Sequence, residues 1–365
     1  MYSIFKPFNR NTLSLKNRMV MAPMTRSRAI DNIPNALMEQ YYAQRTDAGL
    51  IITEGTAPSP ESLGYPRIPG VFSKEQIAGW KNVTTKVHQN GSKIFLQLMH
   101  TGRIGHQDNL PPAVSLVGPS DIPAAGEIFT DTKGNQPHSH PKALSTKAVK
   151  SVVSDFVQAA KNAIEAGFDG AEIHGANGYL IEQFLNPHIN NRTDEYGGNI
   201  KNRTNFAIEV VKSIAAEIGP ERTGIRLSPF SNLGDLPDYD KQEVHQTYAH
   251  LAEEFNKIEL AYLHIGLNPN IPEETLKSIR TQYEGTLIYC NGLDKDAAQK
   301  VIDSSQADLV AFGRNFLANP DLVSRLKNGT SLNGVDYSRL YTPGSRGYID
   351  YPRQKVLTSE PEMVD

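Results

Sequence analysis

The chain has very few of the residues that stitch small or metal-bound folds together. Among 365 residues there is one cysteine, Cys290. That excludes an intramolecular disulfide and any zinc or iron–sulfur site built on several cysteines, and no metal is expected. Neither sign of charge dominates, with 37 Lys+Arg against 40 Asp+Glu and a formal net charge of −3. A near-balanced surface argues against a dedicated nucleic-acid or anionic-membrane face, so neither partner is expected. No apolar run approaches the roughly 18–20 residues of a membrane span. The opening Met1-Tyr-Ser-Ile-Phe-Lys-Pro-Phe lacks the apolar core and cleavage site of a signal peptide, which points to a cytoplasmic protein. No G-x-G-x-x-G follows the first strand-like run, which weakens a dinucleotide-binding alternative. What is present is 39% hydrophobic and 21% charged residues, enough for a large core and too apolar for wholesale disorder.

Short apolar runs alternate with longer helical patterns. Strand-like runs fall at Met19–Ala22, Leu50–Thr53, Ile94–Leu98, Gly170–Ile173, Gly224–Leu227, Tyr262–Ile265, Leu287–Tyr289 and Leu309–Phe312. Helices are predicted over Ala36–Ala48, Lys74–Asn90, Thr146–Ala166, Asn202–Ile218, Lys241–Asn256, Pro272–Tyr283, Lys295–Ser304 and Pro320–Lys327. The clearest is Thr146–Ala166, where Val149, Val152, Val153, Phe156, Ala160 and Ala163 share a face and Gly167 marks the stop. Strand–helix alternation means parallel pairing, and eight units of this length favour a single-domain (β/α)₈ TIM barrel over residues 1–365. The stretch 100–145 is rich in Pro and Gly and follows the third strand, so it reads as an inserted loop or cap at the C-terminal mouth. The residues after Asp350 read as a tail.

A barrel gathers its chemistry just after the strand C-termini. There the sequence places Ala22-Pro23-Met24-Thr25-Arg26, Glu54-Gly55-Thr56-Ala57, Gln97-Leu98-Met99-His100, His174-Gly175-Ala176-Asn177-Gly178-Tyr179, Arg226, Asn291-Gly292 and Gly313-Arg314. Gly292 and Gly313 permit close backbone approach to a phosphate, and Arg314 adds a cationic fork; a tight turn with a surface ion pair explains them equally. His174 and Asn177, three apart, can aim two N–H donors at one oxygen, and Tyr179 nearby can donate a proton. The same spacing also fits a helix N-terminus capped by Asn177. Gln97 suits a heterocyclic edge. Arg226 calls for an anion, which strand parity could supply internally as Glu172. His138-x-His140 reads as solvated loop, His88 as surface, and Asp194-Glu195 as carboxylates pointing apart.

Several of these stretches together resemble the old yellow enzyme family. They are Ala22–Arg26, Gln97-Leu98-Met99-His100-Thr101-Gly102-Arg103, Glu172-Ile173-His174-Gly175-Ala176-Asn177-Gly178-Tyr179-Leu180, Asn191–Gly198, Gly224–Pro229, Gly313-Arg314 and Gly347–Pro352. The resemblance implies a (β/α)₈ barrel with non-covalent FMN, reduced by NADPH or NADH and then reducing the C=C of enones, maleimides or nitroalkenes. It implies that Thr25 meets the flavin O4, Gln97 the pyrimidine edge and Arg226 the N1/O2 region. Backbone at Pro23, Met24 and Ala57 would line the ring, with Gly292, Gly313 and Arg314 at the phosphate. His174 and Asn177 would hold the substrate oxygen and Tyr179 would protonate the carbon alpha to that group, with Met99 and Tyr341 in the substrate pocket. Many relatives carry Trp where this chain has Met99, which bears on substrate size and facial selectivity. A barrel isomerase or aldolase acting on a phosphorylated substrate is the competing enzyme reading, and a flavin-storage barrel the non-enzymatic one. Partners are then small molecules, and the assembly a monomer or homodimer.

Overall fold

Eight runs of branched and aromatic residues pair edge to edge into a closed parallel barrel in the computed structural model, which describes residues 2–354. The strands are β1 (Met19–Met21), β2 (Leu50–Ile52), β3 (Lys93–Leu98), β4 (Gly170–Gly175), β5 (Thr223–Leu227), β6 (Tyr262–Gly266), β7 (Leu287–Cys290) and β8 (Leu309–Phe312). They neighbour one another in chain order, and β8 closes on β1. All eight are buried almost throughout, as a parallel sheet sheathed by helices requires.

The helices between the strands are α1 (Ala36–Ala43), α2 (Lys74–Gln89), α3 (Thr146–Glu165), α4 (Leu180–Leu185), α5 (Ile200–Ile218), α6 (Lys241–Asn256), α7 (Glu273–Gln282), α8 (Lys295–Asp303), α9 (Arg314–Ala318) and α10 (Leu322–Asn328). The longer ones bury one stripe each, while the short α4 is buried all round. Local chemistry sets their ends. Ser73 and Gln76 form a reciprocal capping box on α2, and Ser145 accepts from the Ala148 N–H to start α3. Gly167, at φ 88, ends that helix as expected.

A two-stranded antiparallel hairpin, Phe8–Arg10 with Leu13–Leu15, precedes the barrel. Its Phe8, Leu13 and Leu15 share a core cluster with the inward residues Val20, Leu50, Ile52, Phe95, Ile288 and Leu309. The hairpin leads straight into β1, so it plugs the end where the strands begin and leaves the carboxyl end for a site. The 100–145 insertion is more ordered than a loop. It holds a parallel pair, Val117–Gly118 with Lys142–Ala143, and a hairpin, Glu127–Thr130 with Gly134–Pro137. Residues 351–354 are irregular but pinned to the body, with Pro352 and Gln354 bonded to Arg325 and Asp321, and the rest of the expected tail lies outside the described residues.

Candidate active site

The turn from β4 into α4 is held in an unusual backbone shape. Asn177 and Gly178 both lie in the left-handed region, at φ 59 and φ 80. A Cβ on Gly178 would fall 2.4 Å from the Leu233 carbonyl oxygen, so glycine is required on two counts. Asn177 does not cap α4; Tyr179 holds the N-cap position, without a side-chain cap bond. The turn is instead gripped from behind by a buried carboxylate. Asn177 N–H donates to Ser228 Oγ at 2.8 Å, and Ser228 Oγ donates to Glu182 at 2.8 Å. Gly178 N–H and Tyr248 OH each reach Glu182 at 2.7 Å. Burial pushes the Glu182 carboxyl up to about 7, with these donors opposing the shift.

The turn fixes the state of His174. The Ala176 N–H donates to His174 Nδ1 at 3.3 Å, so in the neutral ring the proton sits on Nε2. Burial first, then the Arg226 charge, holds His174 well below the usual imidazole range, so it stays neutral at physiological pH. The Tyr179 ring stands edge-on to it, with centroids 4.9 Å apart. Tyr179 OH donates to Tyr65 OH at 3.1 Å. Burial and the facing Tyr65 raise Tyr179 well above 10, so it keeps its proton.

Beneath this turn four side chains form a line through the barrel. Gln97 Nε2 donates to Glu172 Oε1 at 2.7 Å, and Glu172 Oε2 meets His264 Nδ1 at 2.8 Å. His264 Nε2 meets Arg226 Nη1 at 2.9 Å. The expected internal partner of Arg226 therefore needs correcting. His264 stands between it and Glu172, because the register sets His264 directly beside Arg226 and Glu172 beside Gln97. His264 was not singled out from sequence, since a histidine inside an apolar run reads as core. Cys290 lies close by. Burial would raise its thiol, but the neighbouring Arg226 charge outweighs that and brings it down to about 7.

Above this line a cavity of about 690 Å³ opens at the carboxyl rim, and Gln97 is the member that reaches it. Pro23, Thr25, Gln97, Met99, His174, Asn177, Tyr179 and Tyr341 all line it. Arg226 is 5% exposed and pairs in register with His174, with its Nε buried and unpartnered. Ala57 is buried beside Met99, its N–H bonded to Pro69 and its carbonyl to Val71, so it offers packing surface and no free donor. Met24 packs against Gly313, where a Cβ would sit 3.5 Å from its sulfur. Gly292, at φ 68, follows β7 with open space around it, and the exposed Arg314 begins α9 right after β8. Apart from Tyr341 on the C-terminal segment, the set lies at or just after strand C-termini.

Comparison with known proteins agrees with this geometry. The family described as NADH:flavin oxidoreductase / NADH oxidase matches residues 3–333. The chain belongs to the old yellow enzyme family. It is 40% identical to a putative 12-oxophytodienoate reductase 2 of Oryza sativa subsp. japonica, covering 98% of this chain and 96% of that protein. It is 36% identical to 12-oxophytodienoate reductase 2 of Arabidopsis thaliana, over 96% of this chain and 95% of that one. Among solved structures, morphinone reductase superposes with a TM-score of 0.92 at 42% identity, covering 97% and 96% of the two chains. Morphinone reductase in complex with tetrahydroNAD matches at 0.93 and 43%, covering 97% and 98%.

Members of the old yellow enzyme family bind FMN, with a nicotinamide as reductant, and FMN is the cofactor of this oxidoreductase. The residues present fit a flavin. A buried cation with an orphaned N–H suits the electron-rich edge of the ring, and Gln97 offers an amide. The isomerase, aldolase and storage readings give way to the family's redox chemistry.

Two segments wall the mouth. Glu127, Ile128, Phe129 and Asp131 of the insertion's hairpin line it on one side, and Tyr337, Ser338, Tyr341, Thr342 and Pro343 on the other. Arg67 ties them together, pairing with Asp131 and donating to the Tyr341 carbonyl at 2.9 Å. The second segment is clamped by arginines that sequence reading missed. Arg28 donates to the Arg339 carbonyl at 2.8 Å, and Arg26 to that of Gly347 at 2.6 Å. Tyr348 stacks on Tyr41 at 4.1 Å. The weaker candidates have plain roles. His138 bonds the Gly105 backbone, His88 meets Asp169 at 2.9 Å on the surface, and Asp194 is held by Arg192 and Thr146. No group of three metal-ligating side chains occurs, and no helix is long and apolar enough to cross a membrane, among the described residues.

Proposed function

We propose that this oxidoreductase reduces the activated C=C of enones, maleimides or nitroalkenes at the expense of NADPH or NADH. The observation that carries the reading is convergence. A neutral His174 with its proton on Nε2, the Asn177 carboxamide and the protonated Tyr179 border one cavity, together with Thr25 and Gln97.

FMN bound at the rim supplies hydride transfer, first from the nicotinamide and then to the alkene. Thr25, Gln97 and Arg226 would hold the flavin ring, Arg226 where negative charge would grow on reduction. Gly292, Gly313 and Arg314 hold the phosphate. His174 Nε2–H and the Asn177 amide N–H grip the carbonyl or nitro oxygen of the substrate. Their grip tightens as negative charge builds on that oxygen, so they lower the barrier and not merely the ground state. Tyr179 gives its proton to the carbon alpha to the activating group. Met99 and Tyr341 bound the space left for the substrate.

The test is direct. Purified protein should absorb in the visible, bleach on titration with NADPH or NADH, and regain colour with cyclohexenone or N-ethylmaleimide. A reduced protein that oxygen reoxidises but no activated alkene does would refute the alkene assignment.

A further inference from the structure

The line of side chains under the cavity has a direction that can be worked out proton by proton. Arg226 has only N–H groups, so at 2.9 Å it donates and His264 Nε2 accepts. The imidazole is therefore neutral, with its one proton on Nδ1. That proton is donated to Glu172 Oε2 at 2.8 Å. The other carboxylate oxygen accepts the Nε2–H of Gln97 at 2.7 Å. This settles the Gln97 amide, whose nitrogen is turned inward and whose oxygen is left for the cavity that Gln97 lines. At the far end, Arg226 Nε is buried with no partner. Glu172 and His264 are both 0% exposed, so water cannot substitute for any link.

We propose that Glu172 and His264 are positioning residues that preset the polar face shown to the flavin's pyrimidine edge, an acceptor oxygen from Gln97 and donor N–H groups from Arg226. The proposal rests on the reading that Gln97 and Arg226 meet that edge. Glu172 also sets the charge there. As a buried anion two links from Arg226, it offsets part of the cationic field that favours reduced, anionic flavin. Cys290, beside Arg226 and His264, can carry negative charge next to this line, whereas Tyr262, facing Glu172, keeps its proton and His174 is neutral.

Glu172→Gln keeps the shape and removes the charge. Its carbonyl must accept from His264, so its NH₂ faces Gln97 and forces that amide to turn over. A donor then stands where an acceptor stood. FMN affinity should fall about tenfold or more, and the two-electron potential should rise by about 30 mV for each tenfold gain in preference for reduced flavin. His264 in the wild-type protein, followed by ¹⁵N NMR with and without FMN, should be neutral with its proton on Nδ1. Wild-type affinity and potential in Glu172→Gln, or a His264 that is charged or protonated on Nε2, would overturn the proposal. The NMR measurement decides even if the variant does not fold. Gln97→Leu and Arg226→Gln separate the underlying reading, since unchanged FMN affinity in both would fault the placement of the edge and not the chain behind it.

Discussion

Removing the Tyr179 hydroxyl should divide the two half-reactions. Tyr179→Phe leaves the ring that stands 4.9 Å from His174 and deletes only the group bonded to Tyr65 at 3.1 Å. Folding stability should drop little, on the order of 1 kcal/mol for one partly buried hydrogen bond. Catalysis should drop much more. A positioned general acid contributes about 10²–10⁴-fold, which is roughly 3–5 kcal/mol of barrier. That loss belongs to alkene reduction alone, because reduction of the flavin by a nicotinamide needs no proton from Tyr179. The geometry adds a second, smaller effect at Tyr65. When Tyr179 gives up its proton, the phenolate left behind needs a donor, and Tyr65 OH is the group in reach. A hydrogen bond to a charged group is worth about 1.5–3 kcal/mol, so Tyr65→Phe should slow the alkene half-reaction about 10- to 100-fold. The double variant should be no slower than Tyr179→Phe, since without the acid there is no phenolate to stabilise. Stopped-flow absorbance resolves both halves on one enzyme preparation. Equal slowing of flavin reduction and alkene reduction in Tyr179→Phe, or additive losses in the double variant, would refute the reasoning.

Other outcomes follow from the same contacts. Ser228→Ala removes the acceptor for the Asn177 N–H and should raise KM for enones several-fold while leaving FMN affinity unchanged, which substrate titration would show. Gly178→Ala meets both a positive φ and the Leu233 carbonyl, so thermal unfolding should report a loss of about 2–3 kcal/mol or insoluble protein. The Glu182 carboxyl, raised to about 7 when folded, should bring a pH dependence. Its proton favours the folded state, a contribution fully present below the unfolded carboxyl range near 4.5 and lost as pH rises through about 7, roughly 3 kcal/mol at most. Glu182→Gln should therefore compare better with wild type at pH 8 than at pH 5; a denaturation difference independent of pH would contradict this.

How much of this was legible in the sequence depended on the reach of each signal. The barrel strands stood out because both faces of each are buried, so each is a short run rich in apolar residues, and the observed limits fall within two residues of those read from sequence. Long amphipathic helices such as α3, α5 and α6 were equally plain. The short α4 and α9 were not, since five or six residues make no period and α4 is buried all round. The hairpin within 100–145 escaped because its strands are short and largely polar, as in Gly134–Pro137. At the site, His174, Asn177 and Tyr179 were legible because they lie within six residues on one turn. The links behind them were not. Asn177 is tied to Ser228 and Gln97 to Glu172 by barrel register, across 51 and 75 residues of chain. His264 could have been found by laying β6 beside β5 with strand ends aligned, which sets it next to Arg226. The arginine clamp on the C-terminal segment joins residues more than 300 apart and left no local trace.

The central claim is that His174 and Asn177 converge on one oxygen above the flavin. Titrating the FMN-loaded enzyme with a para-substituted phenol tests it, because a phenolate held there lies over the ring and gives a long-wavelength charge-transfer band. The band should appear in the wild type and be lost in His174→Ala and in Asn177→Ala, with FMN retained in both. A band of undiminished strength and affinity in either variant would contradict the account.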